Sequence, residues 1–442
     1  MVTAPAKTPG GQARSTETWR RLLRAGTVPA LLVSIGTMTA NLLGYGFFLV
    51  LNRTQTPENL GVVVALTNLA VIGAVPALAL QLVVARRVAR ARVTHDQSSA
   101  GGTALRTGAM VGLAMALLTA AAAPLITWAL HLDSEVPALL LALVVGPTCL
   151  TYAVLGDLQG TDRFLALAAL YVTVGLTRLV AGVLAGLAGW GVTGVLGALA
   201  AAAVAAALVA LAVMGVSSAR EAVRRGESWH RPVLHGMTAT SALLVVSSLD
   251  APLARHFLPP VAAGEFAVLT IFSKAALWAP AFVVTVVYSR MATRRGSRHV
   301  GLAVSATAAI VALGVLVTLV LRQPLVLLVG GASYAHLAGL VPLFTAIGGM
   351  WALAQVFVYW RLARADHRFG LLLWVVAIVV IAIAALATHK SPAQLAWTLF
   401  GGGCLVVLVG AGLLAVAVRR HRAGEVLVGG LVPGPADPDA DI

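Results

Sequence analysis

Long apolar segments follow one another along the whole chain, separated by short polar stretches that carry most of the charges. Segments of about 18 or more apolar residues are long enough to cross the roughly 30 Å hydrocarbon core of a bilayer as helices. The pattern therefore predicts an all-α integral membrane protein. It places twelve spans at 28–51, 60–84, 105–130, 137–156, 164–187, 192–215, 236–257, 264–289, 301–321, 337–360, 370–388 and 393–418.

A repeat with a period of about 203 residues relates the two halves of the chain. The stretch LNRTQTPENLG at 51–61 corresponds to ARHFLPPVAAG at 254–264, and each leads into an apolar helix with a central proline and then an arginine. Such a repeat indicates two similar six-helix lobes, 28–216 and 236–418, that rock against each other around a central site. The matched pairs are Gly61 with Gly264, Pro76 with Pro280, and Arg86 with Arg290.

Charge distribution predicts the orientation of these spans. The basic residues cluster in the N-terminal segment, in every second gap between spans and in the C-terminal segment. Because cytoplasmic loops carry an excess of Lys and Arg, both termini are predicted to lie in the cytoplasm. The membrane that the protein spans is predicted to be the plasma membrane. The segments 1–27, 217–235 and 419–442 are then a basic tail, a linker between the lobes and a disordered tail, all cytoplasmic.

Composition excludes several other classes of protein. The chain is 59% hydrophobic and 11% charged, which no soluble globule of 442 residues needs. Its net charge of +15 is explained by loop topology, so nucleic acid is not an expected partner. Neither a phosphate-binding loop motif nor an H-E-x-x-H or C-x-x-C motif occurs, and Cys149 and Cys404 both lie in apolar segments. No cofactor and no metal site are expected.

Three ionisable residues fall well inside predicted spans: Arg178, Asp250 and Lys274. At 1.5 Å per residue, Arg178 and Asp250 lie about 21 Å from the cytoplasmic edge and Lys274 about 15 Å from the outer edge. Asn41 falls close to the same level. Exposing a charge to lipid at this depth costs about 2.5 kcal/mol or more, so these side chains are expected to face the protein interior.

Two interpretations of these charges stay open. In the first, Asp250 forms a structural salt bridge with Lys274 or Arg178. In the second, Arg178, Lys274 and Asn41 bind an anionic headgroup, while Asp250 tunes the site or carries a coupling proton. Two bases against one acid favour a phosphate or diphosphate ligand. Pro76 and Pro280 remove backbone hydrogen bonds within their helices, so they are either paired hinges or the prolines common in membrane helices.

The residues quoted above resemble those of a known family. The segment 52–87, with PENLG and then GAVPAL and VARR, and the segment 248–259, SLDAPLARHFLP, are similar to polysaccharide flippases of the multidrug/oligosaccharidyl-lipid/polysaccharide exporter superfamily. The resemblance implies a twelve-helix, two-lobe transporter that moves lipid-diphosphate-linked glycans outward by alternating access, with cationic residues in its cavity. The related lipid II flippases usually have two further C-terminal helices, which this chain lacks.

The sequence therefore predicts a non-enzymatic flippase for a lipid-linked saccharide used in cell-surface polysaccharide assembly. Its expected partners are the lipid-linked saccharide, membrane lipids and the glycosyltransferases or polymerase of the same pathway. The nearest alternative is a cation-coupled multidrug exporter of the same superfamily, which should carry more acid and less base in its cavity. An alternative of another class is a membrane glycosyltransferase or polysaccharide polymerase, whose catalytic acid would be sought among Glu58, Asp133 and Glu135 in the short outer loops.

Overall fold

A computed structural model describes residues 27–93, 100–214, 238–280, 283, 296–363, 368–387 and 391–429. The predicted linker 217–235 and the first 26 residues lie outside the described residues. Every long element in the described part is a helix, as predicted. The α-helices are α1 (Thr27–Thr54), α2 (Pro57–Gly73), α3 (Val75–Val93), α4 (Ala100–Ala121), α5 (Ala123–Leu130), α6 (Val136–Gly160), α7 (Phe164–Leu187), α8 (Val192–Met214), α9 (Thr238–Ser248), α10 (Asp250–Phe257), α11 (Pro260–Trp278), α12 (Gly296–Val320), α13 (Arg322–Gly330), α14 (Val341–Ala363), α15 (Arg368–Leu386) and α16 (Pro392–Gly429), with a 3₁₀ helix at Ala332–Leu340.

Eleven stretches of the described residues are long and apolar enough to cross a membrane as helices. The predicted seventh span, 236–257, is not among them, and its described part is divided into α9 and α10 by an interruption at Leu249. The twelve predicted segments thus correspond to eleven membrane-length stretches and one discontinuous helix. The last helix continues past its predicted end at residue 418 to Gly429, and residues 430–442 lie outside the described residues.

The described chain forms two compact units. The first contains the described residues of 1–55, 73–127 and 133–236, and the second contains 56–72, 128–132 and those of 237–442. The boundaries of these units do not follow the repeat. Helix α2 belongs to the first copy of the repeat in sequence, but it groups with the second unit. The predicted lobes 28–216 and 236–418 remain a prediction about the moving parts.

Small residues let the helices of the first unit approach closely. A Cβ added to Gly175 of α7 would lie 2.8 Å from the Ala40 main chain of α1, and one added to Gly182 would lie 2.6 Å from the Phe47 ring. On α6, a Cβ at Gly156 or Gly160 would meet the carbonyl oxygens of α3 at 2.5 or 2.7 Å. Packing through small residues is how membrane helices gain van der Waals contact without a hydrophobic driving force.

The repeat is visible in the helices that follow it. Both α2 and α11 begin at a proline, Pro57 and Pro260, and both end shortly before a second proline. Within the second unit the two helices cross where the repeat has its glycines. A Cβ at Gly61 would lie 3.0 Å from the Gly264 nitrogen, and one at Gly264 would overlap the Pro57 carbonyl. The repeat-related glycines therefore allow repeat-related helices to touch.

Candidate functional site

The seventh predicted span is broken at its one intramembrane acid. Leu249 lies outside both α9 and α10, and Asp250 is the first residue of α10. Pro252 follows two residues later and has no N–H to donate, which favours a break at this point. The Ala251 N–H, which in a continuous helix would bond to the Ser247 carbonyl, instead donates to Asp250 Oδ1 at 2.9 Å. The break thereby leaves the Ser247 carbonyl free within the bilayer.

Lys274 of α11 donates hydrogen bonds to the acceptors at this break, the Ser247 carbonyl and the Asp250 carboxylate. Its ammonium donates to the Ser247 carbonyl and lies 3.1 Å from Asp250 Oδ2 and 3.2 Å from Oδ1. The Asp250 side chain is 7% exposed and that of Lys274 is 21% exposed. One ammonium thus compensates a buried carboxylate and an orphaned backbone carbonyl, both of which are costly to leave unpaired in hydrocarbon. Asp250 and Lys274 therefore form a salt bridge, in which their opposite charges cancel.

Lys274 also lies deeper in its helix than the sequence suggested. The prediction began this span at residue 264, whereas α11 begins at Pro260, in a proline-initiated first turn. At 1.5 Å per residue, Lys274 is about 21 Å from the start of the helix rather than about 15 Å.

Arg178 of α7 belongs to the first unit and has a different environment. Its guanidinium carbon lies 4.9 Å from the centre of the Phe47 ring and 5.1 Å from that of Phe48, both on α1. The two rings meet edge to face, with centroids 5.1 Å apart. The side chain is half-buried, and its Nε is buried with no hydrogen-bond partner in the structure. Arg178 is therefore held by aromatic faces and is not matched by a carboxylate of the described residues.

The remaining predicted residues lie as follows. Asn41 is exposed on α1, six residues before Phe47. Pro76 follows an interruption at Ala74, where α2 ends and α3 begins, and Ala77 N–H donates to the Ala74 carbonyl at 2.9 Å. In the second copy α11 ends at Trp278, two residues before Pro280. Each proline therefore lies two or three residues after the last residue of a helix, while a role for either as a hinge remains a prediction.

Two groups of polar residues were missed by the sequence prediction. In the second unit, Arg255 donates to the Leu130 carbonyl at 3.0 Å and to the His131 carbonyl at 3.3 Å, and His256 Nδ1 lies 2.6 Å from the Ala129 carbonyl. These contacts satisfy carbonyls at the C-terminus of α5, which helix geometry leaves without partners. The sequence pattern did not reveal these contacts, because the partners of Arg255 are about 125 residues away in sequence.

The second group lies in the first unit, on α3, α6 and α7. The Gln81 amide donates to Gln159 Oε1 at 3.2 Å and to the Tyr171 hydroxyl at 2.8 Å. Asp157, two residues before Gln159, is 7% exposed. The prediction ended the fourth span at residue 156 and so left Asp157 in a cytoplasmic gap. The structure continues α6 to Gly160 and buries it.

The comparisons with known proteins identify the fold. No protein-family model matches the sequence, and no curated protein matches it. A multidrug resistance MATE family transporter of the MOP superfamily, in an inward-facing conformation, aligns with 89% of this chain and 98% of its own at 13% identity and a TM-score of 0.69. The lipid II flippase MurJ aligns with 88% of this chain and 87% of its own at 14% identity and a TM-score of 0.65.

A third solved structure is relevant because of its charge. A MOP superfamily transporter from Pyrococcus furiosus, described as having a binding pocket of reverse polarity that suggests a different function, aligns with 88% of this chain and 96% of its own. Its identity is 14% and its TM-score is 0.54. The chain thus has the fold of the MOP-superfamily transporters, the superfamily that the sequence resemblance implied. Identities this low show the fold alone, and the polysaccharide flippase family within the superfamily is not established by them.

Proposed function

We propose that the protein is a flippase that moves a lipid-diphosphate-linked saccharide across the plasma membrane for the assembly of cell-surface polysaccharide. The transport is non-enzymatic and works by alternating access. The diphosphate headgroup binds to intramembrane cations, and the lipid tail stays in the bilayer. The glycan-assembling enzymes of the same pathway supply the cargo and receive it.

The observation that carries this proposal is the unmatched charge of Arg178. Contact with two aromatic rings stabilises a desolvated guanidinium by about 2 kcal/mol. Burying a charge without an ionic partner costs several kcal/mol, so the rings offset only part of that cost. A guanidinium is the side chain best suited to bidentate binding of phosphate oxygens. A phosphate bound at Arg178 would supply the negative charge that the described residues around it lack.

Lys274 contributes in a second way. Its charge is matched by Asp250, so the second unit carries no excess charge at this position. Its side chain is 21% exposed, which leaves part of it open to a ligand. An anionic headgroup that binds Lys274 shares the ammonium with Asp250, and the break in the seventh span allows the carboxylate to adjust. Asn41, exposed on the same helix as Phe47 and Phe48, is proposed as a neutral donor to the headgroup.

A cation-coupled drug exporter is the second candidate, since a multidrug resistance transporter is among the matching structures. A site for cationic drugs needs a carboxylate that is free to pair with the drug. Asp250 is already paired with Lys274, and the unmatched charge at Arg178 has the opposite sign. The described charges therefore favour an anionic cargo. The reverse polarity described for the Pyrococcus furiosus transporter supports the general view that charge differs within this fold.

The test compares binding and translocation of a fluorescent undecaprenyl diphosphate in purified protein and in proteoliposomes. Arg178→Ala should weaken binding at least tenfold, because a charge-assisted contact to phosphate is lost. Arg178→Lys should restore part of it. Arg322→Ala, which removes an exposed arginine at the start of α13, is the matched control and should bind normally. Equal binding by Arg178→Ala and the unaltered protein would overturn the proposal, and preferential translocation of a cationic dye would favour the drug exporter.

A further inference from the structure

Two tyrosines and two glutamines of the first unit lie beside Arg178, and the proposed diphosphate contact assigns them no role. Tyr152 and Gln159 are seven residues apart on α6, and Tyr171 lies seven residues before Arg178 on α7. Seven residues are close to two full turns, so each pair shares one face of its helix at a separation of about 10.5 Å. Gln81 of α3 contacts both faces. The two tyrosines and two glutamines are called the Tyr–Gln row.

The two helix faces lie side by side. Helices α6 and α7 are joined by a loop of three residues, so they run antiparallel, with Tyr152 level with Arg178. The charge of Arg178 acts on the Tyr152 hydroxyl, as this arrangement requires. Gln81 in turn donates to Gln159 Oε1 at 3.2 Å and to the Tyr171 hydroxyl at 2.8 Å. The Tyr–Gln row therefore begins at the guanidinium of Arg178 and extends toward the loop between α6 and α7.

A close helix contact brings Gln81 to the row. A Cβ added to Gly156 of α6 would lie 2.5 Å from the Gln81 carbonyl oxygen and 3.0 Å from its Cα. A side chain at Gly156 would therefore push α3 away from α6, whereas glycine lets the two backbones touch. This contact holds the Gln81 amide within hydrogen-bond distance of Gln159 and Tyr171.

The hydrogen bonds within the row leave donors for a ligand. A carboxamide has two N–H groups, and Gln81 uses both on Gln159 and Tyr171. Tyr171 keeps its own O–H and Gln159 keeps its amide N–H groups, and within the described residues neither donates to a further partner. Tyr152, Gln159 and Tyr171 are half-buried, whereas Gln81 is 7% exposed. Gln81 thus supports the row, and the three half-buried side chains are open to a ligand.

The chemistry of the row fits an uncharged sugar. The hydroxyl groups of a pyranose donate and accept hydrogen bonds, as phenol and carboxamide groups do. The apolar C–H face of the sugar packs against the apolar body of a tyrosine ring, whose hydroxyl stays available for hydrogen bonds. None of the four side chains is charged, so the row favours a neutral sugar over an acidic one. With a phosphate at Arg178, a sugar attached to it extends along α7 toward Tyr171, about 10.5 Å away.

We propose that Tyr152, Gln159 and Tyr171 form a saccharide subsite of the first unit, supported by Gln81, for an uncharged sugar attached to the diphosphate. The inference rests on the proposed function, because it takes Arg178 as the phosphate contact. It gives the cargo a direction, with the diphosphate at Arg178 and the sugar nearer the loop between α6 and α7. A site of this kind prefers the loaded carrier lipid to the bare one.

Binding of two lipids by the purified protein tests the subsite: undecaprenyl diphosphate, and the same lipid carrying one N-acetylglucosamine. The unaltered protein should bind the glycosylated lipid about tenfold more tightly, the effect of one or two hydrogen bonds. Tyr171→Phe and Gln159→Ala should each reduce this preference about threefold, because each removes a donor to the sugar. Tyr334→Phe, the same change at a buried tyrosine of the second unit, is the matched control and should keep the preference. Equal affinities in the unaltered protein, or an unchanged preference in both variants, would overturn the proposal.

The ratio of the two affinities separates sugar binding from helix packing. If the hydrogen bonds of Gln81 only hold the helices together, Tyr171→Phe should weaken both lipids equally and leave the ratio unchanged, which would refute the subsite. Failure of the proposed phosphate contact is distinguishable, because it would appear as normal undecaprenyl diphosphate binding in Arg178→Ala while the ratio still falls in Tyr171→Phe. Should Tyr171→Phe not fold, Gln159→Ala and the preference of the unaltered protein still decide the proposal.

Discussion

The contact between Asp250 and Lys274 allows a sharp test of what holds the broken seventh span in place. Asp250→Asn keeps an oxygen that accepts the Ala251 N–H but removes the negative charge. Lys274→Met keeps the length of the side chain but removes the charge and the donor to the Ser247 carbonyl. The two substitutions therefore separate the ion pair from the local hydrogen bond that begins α10.

The expected magnitude follows from the burial of the pair. Removing one partner of a buried ion pair costs about 3–5 kcal/mol, because the other charge stays buried and unpaired. The 21% exposure of Lys274 places Asp250→Asn at the lower end, about 3 kcal/mol. Asp250→Ala should cost about 1 kcal/mol more, since the Ala251 N–H then loses its acceptor. The double variant should recover most of the loss, giving a coupling energy of about 2–3 kcal/mol.

Equilibrium unfolding in mixed detergent micelles measures these free energies for the two single variants and the double variant. Asp133→Asn, at an exposed position, is the control and should change stability by less than about 0.5 kcal/mol. A coupling energy below about 0.5 kcal/mol would refute the argument that the pair stabilises the break. Normal stability of Asp250→Asn combined with loss of gradient-driven transport would instead assign a coupling proton to Asp250.

Two further predictions concern the repeat. Gly264→Ala should greatly lower the yield of folded protein, because the new methyl group overlaps the backbone of α2. The control Gly301→Ala has open space around its Cβ and should be neutral or slightly stabilising. Equal yields of the two variants in size-exclusion chromatography would contradict the close crossing of α2 and α11. Pro76→Ala restores a backbone donor at the break between α2 and α3, so it should slow translocation several-fold at unchanged diphosphate affinity. The control is Pro147→Ala, within the continuous helix α6. An unchanged translocation rate in Pro76→Ala would refute the role of Pro76 as a hinge.

The pattern of apolar segments was sufficient to predict the helical membrane fold. A membrane helix satisfies its own backbone and needs only a run of about 20 apolar residues, so its existence is a local property of the sequence. The same holds for the repeat, because Pro57 and Pro260 start helices by the local preference of proline for a first turn. Boundaries were predicted less accurately, since α6 continues to Gly160 instead of 156 and α11 begins at Pro260 instead of 264.

The intramembrane charges Arg178, Asp250 and Lys274 were also identifiable from sequence, because any ionisable residue inside a span is rare and costly. Their pairing was not. Sequence left Asp250 free to join either base, and the choice depends on the interruption at Leu249, which frees the Ser247 carbonyl as a second acceptor for Lys274. Arg178 meets Phe47 and Phe48 because Gly175 and Gly182 bring α7 against α1, which is a tertiary contact.

Sequence by itself thus determined which segments are helices, where the repeat lies and which residues carry charge in the bilayer, since each is set within one segment by hydropathy and local backbone preference. Tertiary structure alone decided that Lys274 is neutralised by Asp250 and that Arg178 is held by aromatic rings. The physical reason is that compensation of a charge depends on distances between helices far apart in sequence. Those distances are set by small residues and helix breaks whose partners no local pattern reveals.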